Sequence, residues 1–322
     1  MIVLETFGQL ALITSCALAL CVYVGWGAAR LALPAALRPS GALFVPLVGY
    51  AMTIWAGYIG VSTVLNLRWS LALLLGLATV FNGLAWRRGA RPQPGVALRA
   101  DPAVWVLLVV TLLAGVLPLL RYGYLTAIGQ GWDTESYLPL AQHLCDYPLA
   151  RIAEAPISPL RDLVRDPPRI GVTLGFPVFQ GLTMLLSGQS ALATFAPLLA
   201  LLRALGVLAV YAWLRGTMGL GRPAALLGAA LTSAGALLLW VTFFNFGMQL
   251  AAWPLLALGL VLGLAALEEL ACPETMNDER KTTCSAHPSR FIAHRSSLPV
   301  NLRRPGTALL AAVALADLPV AY

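Results

Sequence analysis

The chain has 322 residues, 59% of them hydrophobic and 11% charged, with a mean hydropathy of +0.79. A soluble domain carries roughly a quarter charged residues, so the composition excludes an ordinary soluble protein and defines an all-α polytopic membrane protein whose first partner is the lipid bilayer. The net charge of +7, from 21 basic and 14 acidic residues, reports loop topology in such a chain, and no stretch interleaves basic and aromatic residues as base stacking demands, which excludes nucleic acid.

A helix needs about twenty apolar residues to cross the hydrocarbon core. The charge-poor runs predict about eight spans, over 7–27, 43–64, 69–86, 103–120, 190–214, 223–243, 247–267 and 306–322. In the first run, Ile13-Thr14-Ser15-Cys16 loosely resembles a lipoprotein cleavage box. Glu5 is the only charge before it and no basic n-region precedes it, so the run reads as a retained span. None of the cysteines, Cys16, Cys21, Cys145, Cys272 and Cys284, forms a CxxC pair, and neither a disulfide framework nor a zinc site is implied.

Arginines set the orientation, because short basic loops stay cytoplasmic. Arg30 and Arg38 mark the first loop as inside, and Arg87, Arg88, Arg91 and Arg99 mark the third. An N-terminal three-span region, 1–102, is thus followed by a membrane core, 103–270, whose long connection 121–189 is exoplasmic. Within it, the apolar segment VTLGFPVFQGLTMLLSG, residues 172–188, is too close in length to a span to be ignored. Counting it as one would put the basic 270–305 segment outside, so it is read as an interfacial or re-entrant helix interrupted by Pro177 and its glycines. The run from Arg222 to Glu268 encloses 45 uncharged residues, enough for a hairpin turning at Asn245-Phe246-Gly247. Residues 271–305 carry Lys281, five arginines, His287 and His294; with Cys272 and Cys284 they match no zinc spacing and read as a flexible cytoplasmic linker. The last span begins near Thr307 and stops at Tyr322, which reads as a fragment.

The exoplasmic stretch GWDTESYLPLAQHL, Gly131 to Leu144, sets Asp133, Glu135 and Tyr137 between apolar segments. Asp133, Tyr137 and Leu140 fall on one helical face. Glu135 lies about 200° around from Asp133, so the two carboxylates do not pair. Asp133 is either an N-cap, favoured by capping and by the helix dipole, or a general base at the membrane surface.

This stretch resembles the first external loop of the C-type glycosyltransferases, the polytopic enzymes that include protein mannosyltransferases and aminoarabinose transferases. The family pattern, D-E-x-x-Y followed by an A-Q-x-L-like run, falls on Asp133, Tyr137, Ala141, Gln142 and Leu144, with Thr134 in place of the second acid. Gly175-Phe176-Pro177 through Gly188 is similar to the family's interface helix, and residues 200–244 to its next two spans, without the family's histidine near the proline. The resemblance covers roughly residues 104–267. It implies inverting transfer of a sugar from a polyprenyl-phosphate-linked donor to an exoplasmic acceptor in the plasma membrane, a bacterial inner membrane, with Asp133 as base, Glu135 as a supporting group and Tyr137 lining the substrate site. Arg165, Arg169 and the intramembrane Arg203 are the candidate ligands of the donor phosphate, against a solvated loop for the first two and a snorkelling side chain for the third. No cofactor is implied, and a divalent metal is left open.

Two other classes remain. A transporter or flippase would also place a charge near a membrane cavity, although no internal repeat links residues 1–120 with 190–322. A non-catalytic remnant of the enzyme family would fit the ending at Tyr322.

Overall fold

The computed structural model describes residues 2–89, 101–123, 125, 133–154, 174–243 and 246–271. These residues are helices and turns, without a strand: α1 (Ile2–Ala32), α2 (Gly41–Ser62), α3 (Leu67–Arg87), α4 (Pro102–Tyr122), α5 (Asp133–Asp146), α6 (Gly175–Ser187), α7 (Ala191–Gly216), α8 (Arg222–Ala234), α9 (Ala236–Phe243) and α10 (Gly247–Ala271). A 3-10 turn, Ala35–Ser40, joins α1 to α2, and another, Leu149–Glu154, follows α5. Helices α1 to α4, α7 and α10 are long and apolar enough to cross a membrane, and α8 with α9, bent by 43°, is a broken span or a re-entrant loop. Six of the spans expected from the sequence coincide with these helices, and the run 223–243 with the bent pair. The eighth, 306–322, and the linker before it lie outside the described residues.

The bundle is built around α7. Its sequence is apolar on every side, which marks a buried helix, and it packs on α1, α2, α4, α8 and α10. By contrast α3 lies at the edge, with Leu73, Leu77, Val80 and Leu84 exposed in one stripe between the exposed Trp69 and Trp86. Those tryptophans stand about 26 Å apart along the helix, close to the hydrocarbon thickness, where aromatic rings gather at the two interfaces.

Between α1 and α2 the backbones themselves touch. A Cβ on Gly49 would fall on the Cys21 carbonyl oxygen, and one on Gly25 on the Val45 carbonyl oxygen. Membrane helices associate through such small-residue contacts because lipid supplies no hydrophobic drive between them. Helices α1 and α3 also touch at a glycine, Gly27 against the backbone at Phe81 and Asn82, and are joined there by a side-chain amide. Asn82 Nδ2 donates to the Tyr23 carbonyl at 3.0 Å while its Oδ1 accepts from the Gly27 N–H at 2.8 Å, the two groups that an α-helix pairs with each other.

One end of the bundle collects arginines. The C-terminal ends of α1, α3 and α7 and the N-terminal ends of α2, α4 and α8 bring Arg30, Arg38, Arg87, Arg88, Arg215 and Arg222 to it. Leu37 and Phe44 close on Gly216 there, and Arg222 Nε donates to Asp101 Oδ1 at 2.6 Å, tying α8 to the start of α4.

At the far end, α6 differs from its sequence reading in one respect. Its backbone is a continuous helix over Gly175–Ser187 that neither Pro177 nor Gly181 interrupts. Pro177 stands in the first turn, where an amide N–H has no helical partner to lose, and Gly181 is a contact point: a Cβ there would meet Leu67 Cδ1 and lie 3.2 Å from the Ala141 carbonyl. With 13 residues the helix is about 20 Å long, too short for the roughly 30 Å core. It is buried from Gly175 to Met184 among α1, α2, α5 and α7.

Candidate functional site

Helix α5 opens at Asp133, with Glu135 in its first turn. From Tyr137 onward its inner face is the one the sequence periodicity marks: Tyr137, Leu140, Ala141 and Leu144 are all buried. Its other end is held by α3, where Asn66 caps α3 by accepting from the Trp69 N–H at 3.2 Å and donates to the Asp146 carbonyl at 3.0 Å. Arg68 adds two bonds to Asp146 Oδ1, at 2.9 and 3.2 Å. Being exposed, this ion pair contributes little stability. Against α6, the Cys145 thiol faces the Gly181 carbonyl at 3.6 Å, and burial, with Asp146 next to it, pushes the thiol pKa up to about 12, Arg68 acting the other way. It is a packing group and stays protonated.

Tyr137 does not line an open site. It is 1% exposed, its ring tilted against Phe176 at 5.5 Å, and Phe176 in turn meets Phe195 edge-on at 5.3 Å. Gly247, the first residue of α10, is flat against both: a Cβ there would lie 3.0 Å from Phe176 Cγ and 3.2 Å from Tyr137 Cε2. Tyr137 therefore seats the head of α5 on α6 and α10. Several buried polar atoms on these helices have no partner among the described residues: Thr134 Oγ1, one turn before Tyr137, and Gln249 Oε1 on α10, along with His143 Nε2 on α5 and Gln180 Oε1 on α6. Sequence reasoning passed over these atoms, since none of the residue types is unusual in its run. Buried polar atoms are paired in the great majority of cases, so such atoms call for a ligand or a reason.

Arg203 lies elsewhere. It is 2% exposed near the middle of α7, eight residues past Phe195 and so about 12 Å of helical rise from the seat of α5. Its Nη2 donates to the Ser233 carbonyl at the break between α8 and α9, while Nε and Nη1 have no partner among the described residues. Ser233 Oγ shares a 2.7 Å hydrogen bond with Thr111 Oγ1 of α4. A charged side chain enclosed at this depth is costly and retained for a purpose; here it satisfies a carbonyl that the bend turns out of the helical ladder. The structure thus sets Tyr137 against α6 and α10 and leaves Arg203 apart, with Asp133 and Glu135 in the first turn of α5. Arg165 and Arg169 lie outside the described residues.

His143, which the sequence reading left unused, is buried on α5 and stacked on Tyr147 at 5.2 Å. Burial holds its pKa below the ordinary imidazole value, with Asp146 pulling the other way. Among the described residues, no group of three or more His, Cys, Asp or Glu is placed to hold a metal ion.

The fold and this site define a membrane-embedded, all-helical protein with six or seven candidate spans. No family model, no curated protein and no solved structure matches the chain.

Proposed function

We propose that the protein is a membrane glycosyltransferase of the C-type kind, moving a sugar from a polyprenyl-phosphate-linked donor to an acceptor on the outer face of a bacterial inner membrane. Asp133 takes the acceptor proton and Glu135 supports it. The observation that supports this reading is the enclosed, unpartnered Thr134 Oγ1 at the head of α5, next in the chain to the residue that the resemblance makes the base, with Gln249 Oε1 likewise unpartnered on α10. A sugar hydroxyl can both donate and accept, and would satisfy either atom. Tyr137 acts by fixing the head of α5, and the donor phosphate falls to Arg165 and Arg169. Arg203 stands too deep to share that phosphate. Its two unpartnered guanidinium nitrogens are the observation that favours the second reading, a transporter or lipid flippase with a charge in mid-bundle.

The test is Asp133→Asn in the full chain, assayed in detergent with a panel of polyprenyl-phosphate-linked sugars. General-base catalysis is worth about 10²- to 10⁴-fold, so transfer falls by that factor while membrane insertion and thermal unfolding stay unchanged. Asparagine caps a helix about as well as aspartate; unchanged turnover in an active preparation would make Asp133 a cap and remove the mechanism. Wild-type protein that transfers no sugar from any donor in the panel would remove the enzyme reading.

A further inference from the structure

At the arginine-rich end, far from α5, the C-terminal ends of α1 and α3 and the N-terminal end of α2 line a half-open cavity of about 370 Å³. That volume lies within the roughly 300–1,000 Å³ of small-ligand sites. Its rim carries Arg30, Arg38 and Arg88, and its floor is apolar, from Leu33, Val45 and Ala85. Among the described residues, no aspartate or glutamate lines it. None of the three arginines has a carboxylate partner among the described residues, whose ion pairs are Arg68–Asp146 and Arg222–Asp101. Arg38 Nε makes a long 3.4 Å contact to the Leu33 carbonyl, which leaves the rest of its guanidinium unengaged by any hydrogen bond the structure shows.

Three arginines lining one cavity without a carboxylate partner among the described residues favour an anion, and a planar fork matches phosphate oxygens. The apolar floor excludes a fully hydrated ion as the natural occupant. The surroundings continue the argument, because Leu84, Val80 and Leu77 stand one, two and three turns before Arg88 on the same face of α3 and are all exposed. An apolar track thus leads from the charged rim along the lipid-facing side of the bundle. Topogenic charge alone requires no cavity and no track.

We infer that this cavity binds the headgroup phosphate of an anionic phospholipid, phosphatidylglycerol-like in chemistry, with its acyl chain along the α3 stripe. Basic pockets between membrane helices hold such headgroups.

The experiment uses the full chain in maltoside micelles and follows thermal unfolding during titration with dioleoyl phosphatidylglycerol, dioleoyl phosphatidylcholine, or soluble glycerol 3-phosphate and inorganic phosphate. The expected result is a saturable rise in midpoint with phosphatidylglycerol alone. Arg30→Gln/Arg38→Gln/Arg88→Gln weakens the apparent affinity by about tenfold or more, since a hydrogen bond to a charged group contributes about 1.5–3 kcal/mol. Arg87→Gln/Arg215→Gln removes charge from the same end, outside the cavity lining, and leaves the response intact. The decisive variant is Gly41→Leu. Gly41 lines the cavity, a Cβ there meets nothing closer than Leu33 Cδ1 at 3.7 Å, and leucine fills the space while every charge stays. Loss of the response in this variant supports a headgroup held in the cavity. An intact response in Gly41→Leu, an equal loss in the Arg87/Arg215 control, an equal rise with phosphatidylcholine, or an equal rise with the soluble phosphates each overturns the proposal, the last in favour of a free-anion site.

Discussion

His143 is buried near the C-terminal end of α5, its ring stacked on Tyr147. Its pKa is lowered by burial, whereas in the unfolded chain it protonates near the ordinary value of about 6.5. Around and below that pH the unfolded state binds more protons than the folded state, so stability is greatest above about pH 6.5 and decreases as the pH falls. The expected outcome is a lower thermal midpoint in detergent at pH 5 than at pH 7.5, with a smaller difference in His143→Phe. An equal pH response in the two proteins would show that other groups carry it. At this scale the sequence spoke through spacing alone. The face shared by Asp133, Tyr137 and Leu140 is the face that packs, because helical periodicity is local. That Tyr137 would be sealed by Phe176 and Gly247 depends on residues 39 and 110 positions away, and no local pattern carries that. The same holds for Thr134 and Gln249, whose lack of partners is a property of the assembled site.

Among the elements, the contact of α1 with α2 turns on two glycines, whereas Gly83, on α3, stands in open space. Gly49→Ala drives a methyl into the Cys21 carbonyl and separates the helices, a kind of overpacking that costs typically about 1–3 kcal/mol. Gly83 has nothing within 4 Å of its Cβ direction, so Gly83→Ala stabilises α3 by about 0.5–1 kcal/mol through backbone entropy. Thermal unfolding of the two variants in the same detergent checks the opposite signs; two shifts of the same sign would remove the backbone-contact account. Span positions were legible because the hydrocarbon core demands a fixed length of uncharged sequence. The break in the run over 223–243 was not, since run length ignores conformation. Its only sign was the Ser233-Ala234-Gly235 step, a combination that kinks helices. Likewise Pro177 and Gly181 read as interruptions of α6, but a proline in the first turn and a glycine at a helix crossing are both compatible with a continuous helix.

For the whole molecule, the arginines at one end and α5 with α6 at the other make a single topological statement. If the basic end is cytoplasmic, as short arginine-rich loops require, Gln189 between α6 and α7 faces outward and Met218 between α7 and α8 faces inward. In intact cells a membrane-impermeant maleimide then labels Gln189→Cys and not Met218→Cys, and inverted vesicles give the reverse. Labelling of Met218→Cys from outside would invert the molecule and move the proposed transfer site to the wrong face. Charge distribution supplies this expected orientation from sequence alone, whereas the cavity at the basic end was not readable, because its rim joins Arg30 and Arg38 to Arg88, fifty residues further on.

The Asn82 bridge also has a place in time. Asn82 follows Gly27 by 55 residues, so at a synthesis rate of about 5–20 residues per second its amide emerges about 3–11 s after the turn it joins. Until then Tyr23 and Gly27 have only each other, and α1 enters the bilayer as a self-contained helix. The docking of α3 is thus a late, separable event in the making of the protein, and a ribosome stalled between the second and third spans would hold a nascent chain whose first helix has not yet met the amide that joins it to α3.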